Sequence, residues 1–323
     1  MTANGKSSTM DFNAMSRDGI VLTHNVPGHV EAPRSLTRAV ESGELVKLRR
    51  GAYVPAGIWE RSDYRARHIL RIRAVVAHAA HPIVLCGESA AALWGMPISG
   101  AWPTSVSVLD NWRGGGRAEP GIRRTTAGFA TARVVELDEF RVTDVTRTAL
   151  DVARRVSFSE AVGSLDWAIS RTNPRAVSLE SLADDAENFD ARLGRRHLQR
   201  VVGFATSLSD SFGESRCRAV IHLQGFQPPE LQVEFRDELG SMYPDFYWRT
   251  ARVAAEFDGK QKYTRDEYTH GDPVEVLWRE KNREDRLRKQ ISGLARLLTS
   301  DVEHPERLSR KLTDAGVPRG GRT

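Results

Sequence analysis

The stretch Tyr243-Pro-Asp-Phe-Tyr-Trp-Arg-Thr-Ala-Arg-Val-Ala-Ala-Glu-Phe-Asp-Gly-Lys-Gln-Lys-Tyr263 carries the most structural information in the chain. Two runs, Met242–Trp248 and Ala251–Phe257, are rich in aromatic and small apolar residues, and Arg249–Thr250 can turn the chain between them. That pattern predicts a β-hairpin. A turn centred near Thr250 sets Asp245 opposite Glu256. Opposed residues of an antiparallel pair lie about 5 Å apart with their side chains on one face. Asp258, two residues beyond Glu256, shares that face if the strand continues. Like charges so close repel unless a cation or a proton intervenes. Three carboxylates at one strand end suit Mg²⁺, a hard cation that takes oxygen ligands and keeps several waters.

Downstream, Trp278-Arg-Glu-Lys-Asn-Arg-Glu-Asp-Arg-Leu287 reads as a helix with a densely charged face, its apolar points being Leu277, Leu287, Ile291 and Leu294. Lys281 and Arg288 fall near one side, and Glu280 and Glu284 form a one-turn pair. A solvated salt-bridge face is one reading. The other is that a lysine or arginine here meets the charge on phosphorus in a phosphodiester-cleaving site. Upstream, Ser211-Phe-Gly-Glu214-Ser-Arg-Cys-Arg218 starts a helix, and Gly225-Phe-Gln-Pro-Pro-Glu-Leu-Gln232 leads into a strand.

The order is an acid on a helix, Asp on a strand, Glu-x-Asp on the next strand, then a basic helix. It resembles the PD-(D/E)xK nuclease superfamily, in the branch similar to very-short-patch-repair endonucleases. Glu214, Arg218, Gln232, Asp245, Glu256, Asp258, Gly259, Arg283 and Leu287 match that branch's pattern in order, over roughly residues 208–312. The resemblance implies a restriction-endonuclease-like domain in which Asp245, Glu256 and Glu214 hold Mg²⁺ and Asp258 assists. The superfamily's third motif ends in Lys, and here that position is Asp258. Lys260 and Lys281 are the candidates to replace it, and Arg283 is a candidate to clamp a neighbouring phosphate.

The chain has 323 residues, 40% hydrophobic, enough for two or three cores. A net charge of +5 is compatible with nucleic acid without requiring it. The two cysteines, Cys86 and Cys217, have no CxxC spacing, so zinc is disfavoured and a reducing cytoplasm fits. No apolar leader and no run near about 18 apolar residues is present, so neither a signal peptide nor a membrane span is expected.

Residues 1–9 are polar and expected to be disordered. Residues 10–59 read as a winged helix-turn-helix. Met10–Arg17 is a short helix, and Thr23 can cap another helical turn. Pro33 opens a further helix and Gly43 closes it. Leu36, Ala39 and Val40 form its buried stripe, leaving Arg34, Ser35, Thr37 and Arg38 outward. Glu44–Pro55 follows as a two-stranded wing with Lys47, Arg49 and Arg50 towards its tip. A helix offering Arg, Ser and Thr to a major groove, beside a basic wing on phosphate, is a DNA-reading arrangement. Ser42-Gly43-Glu-Leu45 with Arg50-Gly51-Ala-Tyr53 resembles the N-terminal domain of AbiEi-type antitoxins. That resemblance implies DNA, and a cognate toxin, as partners.

Residues 60–206 read as a mixed α/β middle domain: a helix over Tyr64–His81, a buried turn at Ile83–Gly87 and a helix over Glu88–Trp94. Short strands follow at Thr104–Leu109, Ile122–Thr125, Val134–Leu137 and Phe140–Val142, then helices. Cys86-Gly-Glu-Ser-Ala-Ala-Ala-Leu-Trp-Gly-Met-Pro97 and Val142-Thr-Asp-Val-Thr-Arg147-Thr-Ala-Leu-Asp151 resemble the same antitoxin family. Arg113-Gly-Gly-Gly-Arg117 lacks the context of a phosphate loop and reads as a hairpin tip. His24, His29, His68, His78 and His81 have no metal-ligand spacing. Residues 313–323 read as a loose tail.

The expected chain is therefore a multidomain α+β or α/β protein. It has a winged helix-turn-helix, a mixed α/β middle region and a restriction-endonuclease-like end. Two functions remain open: a DNA-binding protein with a Mg²⁺-dependent endonuclease, or a non-catalytic regulator of the type IV antitoxin kind with a degenerate nuclease fold.

Overall fold

The computed structural model describes residues 11–27, 32–111, 119–189, 194–259 and 273–320. The chain is mixed α/β with several small sheets, and its contacts divide it into two units, Met1–Asp151 and Val152–Thr323. The Arg113–Arg117 loop, His29 and Lys260 lie outside the described residues. No described helix is long and apolar enough to cross a membrane.

The first unit opens with α1 (Phe12–Met15), capped by Asp11, then β1 (Val21–Leu22), a 3₁₀ turn at Thr23–Asn25 and α2 (Ala32–Glu41). Strands β2 (Leu45–Arg49) and β3 (Ala52–Pro55) form a hairpin, and β1 adds to it in the order β1-β3-β2. The hairpin expected over Glu44–Pro55 thus belongs to a sheet of three strands, not two. The third, β1, is two residues long, too short for a periodic signal. Thr23 does not cap its turn: the N-cap position is Leu22. Gly51, at the hairpin tip, has a φ of +80°. A Cβ there would stand 2.8 Å from His78 Nε2, so the tip closes against the following helix layer. Leu36 and Ala39 of α2 are buried with Phe12, Val21, Val26 and Leu45.

Helices α3 (Ala56–Arg61) and α4 (Tyr64–Val76) follow. The expected helix to His81 stops at Val76, and Val84–Leu85, read as a turn, is strand β4. After α5 (Gly87–Trp94) come β5 (Val106–Leu109), β6 (Ile122–Thr125), β7 (Val134–Leu137) and β8 (Phe140–Thr143). The five strands lie in the order β6-β5-β4-β8-β7, with parallel and antiparallel pairs. Asp144 then accepts from the Arg147 amide at 2.8 Å and starts α6 (Val145–Ala153).

The second unit contains α7 (Phe158–Ile169), with a capping box between Ser157 and Glu160, then α8 (Leu179–Glu187), α9 (Arg195–Val202) and α10 (Phe212–Leu223). Its strands are β9 (Phe235–Asp237), β10 (Gly240–Met242), β11 (Phe246–Trp248) and β12 (Val253–Asp258). Helix α11 (Pro273–Arg288), strand β13 (Gly293–Leu298) and helices α12 (Thr299–Glu303) and α13 (Pro305–Asp314) complete it.

Three readings of this half need correction. Met242–Trp248 is not one strand: Met242 ends β10, which pairs with β9, and Phe246 starts β11, which pairs with β12. Pro244 stands between them, with no N–H for a ladder. Ile291 and Leu294 do not continue α11. The helix stops at Arg288, and Leu294 lies on β13, which pairs in parallel with β12 along all six of its residues. The segment after Thr313 is not wholly loose: Val317 is buried, Gln227 donates to the Pro318 carbonyl at 3.0 Å, and Arg319 covers the Phe226 ring.

Alternation along β12 divides the core of this unit. Val253, Ala255 and Phe257 join Phe246, Trp248, Ile221, Leu297 and Leu308 in one cluster. Ala254 joins Tyr247, Phe235, Met242 and Leu287 of α11 in another. Glu256 and Asp258 therefore share the α11 side.

Candidate functional site

The hairpin register runs Phe246↔Ala255, Tyr247↔Ala254 and Trp248↔Val253, so its next step sets Asp245 against Glu256. Asp245 Oδ2 accepts the Phe257 amide at 2.6 Å, which holds its carboxylate between Glu256 and Asp258 along the strand. Glu214 arrives from α10. Ser211 caps that helix, accepting the Glu214 amide at 3.1 Å, and Glu214 in turn accepts from Ser211 Oγ at 2.8 Å and from the Asp210 amide at 2.9 Å. The helix lies against β12 through Gly213, where any Cβ would stand 2.2 Å from the Phe257 ring. Only a glycine at position 213 lets the helix approach the strand so closely.

Burial pushes the Cys217 thiol pKa well up, and the charges of Asp245, Glu214 and Asp301 add to the shift.

The cations are arranged differently from the sequence reading. Arg283, the candidate phosphate clamp, turns inward. Its Nη2 lies 2.5 Å from Glu280 and 2.7 Å from Glu256 Oε1. The hydrogen bond to Glu280, then the Glu256 charge, raise its pKa further above the usual guanidinium range. Arg296 on β13, which no reading of the sequence singled out, lies 3.3 Å from Asp258, 3.9 Å from Glu256 and 2.6 Å from Glu284. Its signal was concealed by the misreading of β13 as helix: in parallel register Arg296 is Glu256's partner. Lys281 is exposed on α11. Glu256 is buried, and its Oε1 has no well-directed hydrogen bond among the described residues despite the Arg283 contact.

In the first unit, Arg34, Thr37 and Arg38 are exposed on α2 and Ser35 is half-buried, the facing expected of that helix. Thr37 Oγ1 donates back to the Pro33 carbonyl at 2.8 Å. Lys47 and Arg50 are exposed at the hairpin, whereas Arg49 is tied to Glu119 at 2.7 Å.

Among the described residues, no group of three His, Cys, Asp or Glu side chains stands ready-arranged for a metal ion. The chemistry of the donors suits Mg²⁺ in that every one is a carboxylate oxygen, although Arg283 and Arg296 already meet Glu256 and Asp258. No protein-family model matches the sequence, and no curated protein matches it. Among solved structures, the chain is similar to the crystal structure of the Rv2827c protein from Mycobacterium tuberculosis, at 15% identity and a TM-score of 0.35, over 57% of this chain and 72% of that one, a likeness too slight to bear on function.

Proposed function

We propose that the second unit carries a restriction-endonuclease-like domain of the PD-(D/E)xK kind, and that residues 10–59 form a winged helix-turn-helix delivering it to DNA. The observation that supports the reading is the register that sets Asp245 opposite Glu256, with Asp258 two residues on, at one end of the β11–β12 hairpin, while Gly213 packs the first turn of α10, which carries Glu214, against Phe257 of the same strand. Asp245, Glu256 and Glu214 would hold Mg²⁺, with Asp258 beside them. When bound, the ion would lower the pKa of an attacking water and offset charge on the leaving oxygen. Lys281, and Lys260 beyond the described residues, are placed by the sequence to meet charge on phosphorus. Arg283 pairs with Glu256 and Arg296 with Asp258, and these contacts fix the direction of the two carboxylates.

The same two arginines favour a second reading. They already neutralise Glu256 and Asp258, as they would in a retired site serving a DNA-binding regulator of the antitoxin type, one with a toxin as a further partner. Plasmid and short-duplex cleavage with Mg²⁺ or Mn²⁺ separates the two. On the first reading, wild type cuts, and Asp245→Ala and Glu256→Ala each lower the rate by about a hundredfold or more. On the second, no nucleic acid is cut, and duplex binding is metal-independent, salt-sensitive and weakened by Arg34→Ala, Arg38→Ala or Arg50→Ala.

A further inference from the structure

Behind the β2–β3 hairpin lies a cavity of about 480 Å³. Leu48, Val75 and Val106 supply apolar wall, and Arg49, Arg50 and Arg71 line it as well. The volume falls within the roughly 300–1,000 Å³ of small-ligand sites, which combine apolar lining with a few placed polar groups.

The three guanidinium groups are not equivalent. Arg49 donates to Glu119 at 2.7 Å, and that bond holds the Glu119 carboxyl below the usual carboxylate range. Arg50 and Arg71 are bound to no carboxylate among the described residues. Arg71 is half-buried over Trp59, 4.9 Å from the ring centroid, with Arg67 over the same ring at 5.0 Å. Burial, then the Arg67 charge, lower the Arg71 pKa. A guanidinium withdrawn from water beside a second one is costly unless an anion meets it. Two cations without carboxylates at one cavity match the charge of a phosphate dianion, and the planar arginine fork matches its oxygens.

We propose that this cavity binds a phosphorylated ligand, its phosphate between Arg50 and Arg71 and its organic part on Leu48, Val75 and Val106. The phosphate belongs either to a free compound of nucleotide size or to a DNA backbone passing the hairpin. The inference concerns the first unit and does not rest on the nuclease reading.

Calorimetric titration of the full chain with pyrophosphate, AMP, ADP and a short DNA duplex tests it, on wild type, Arg71→Gln, Arg71→Lys and Arg50→Gln. The expected result is at least a tenfold loss of affinity in Arg71→Gln and Arg50→Gln, with Arg71→Lys between. Binding of the free phosphates with that loss supports the site and assigns it a small ligand. Binding of the duplex alone, weakened by the Arg71 variants as well as by Arg50→Gln, supports the site and assigns it a backbone phosphate, whereas duplex binding weakened by Arg50→Gln alone belongs to the outer surface of the hairpin and overturns the proposal. Melting curves show whether Arg71→Gln folds; if it does not, Arg71→Lys decides for the duplex, and Arg71→Lys with Arg50→Gln for the free phosphates. Affinity for every probe unchanged in the folded variants, or no binding of any probe by wild type, overturns the proposal.

Discussion

Arg218→Ala is expected to lose about 3–5 kcal/mol of stability, the usual result of removing one partner from a buried ion pair. Arg218 Nη2 donates to Asp166 Oδ2 at 2.9 Å from α10 to α7, with the Asp166 side chain 1% exposed. Asp166 Oδ1 also accepts the Thr206 amide at 2.8 Å, and the Arg218 guanidinium lies 4.2 Å from the Phe204 ring centroid. Without the arginine, a carboxylate would remain between packed helices. Burial already raises the Asp166 pKa, opposed first by Arg218, so the variant should raise it further. A carboxyl with a raised folded pKa contributes stability below its unfolded pKa and loses it as pH rises. The deficit of Arg218→Ala should therefore shrink towards pH 4 relative to pH 8. Chemical denaturation at both values checks this. Restoration by the double variant Asp166→Asn/Arg218→Met would assign the loss to the orphaned charge, whereas equal loss in all variants at both pH values would contradict it.

The second large effect is pH-dependent and belongs to the first unit. His68 is fully buried, with Nδ1 2.8 Å from the Pro103 carbonyl and Nε2 3.1 Å from Ser89 Oγ. A carbonyl only accepts, so Nδ1 carries the proton and Nε2 accepts from Ser89. Ser89 Oγ also receives the Ser107 amide at 2.8 Å. Burial is the main cause that lowers the His68 pKa from 6.5 to about 4. Folding thus favours the neutral ring, and the unfolded chain binds the extra proton between these values. Stability should fall as pH drops from 6.5 towards 4, by about 3 kcal/mol in all, at about 1.4 kcal/mol per pH unit. Urea unfolding at pH 7, 5.5 and 4.5 should show this slope in wild type, and His68→Asn should lack it. A parallel pH dependence in both proteins would rule out His68 as its source.

Much of the site was legible because it is local. The turn at Arg249–Thr250 fixes the register that opposes Asp245 to Glu256, and Ser211 with Glu214 announces a capped helix start. The outward set on α2 follows from Leu36, Ala39 and Val40 alone. What was hidden depends on partners distant in sequence. Gly293–Leu298 follows a helix and carries apolar residues that continue its period; only pairing with β12 makes it a strand, and only that pairing reveals Arg296. Arg218 belongs to the matched nuclease pattern, yet its visible work is to pair with Asp166, 52 residues earlier. Arg71 sits on a helix with no other signal, and that no carboxylate among the described residues meets it shows only when the cavity around it is formed.

The central claim is that Glu214, Asp245, Glu256 and Asp258 make one cation-holding centre despite the arginines among them. Electron paramagnetic resonance titration of Mn²⁺ into the full chain tests it most directly, wild type beside Asp245→Asn and Glu256→Gln. The account predicts a bound ion in wild type, displaced by Mg²⁺, with affinity at least tenfold weaker in both variants. No bound Mn²⁺ in wild type, or equal binding in all three proteins, would contradict it and leave Arg283 and Arg296 as the permanent counter-ions of a site without a metal.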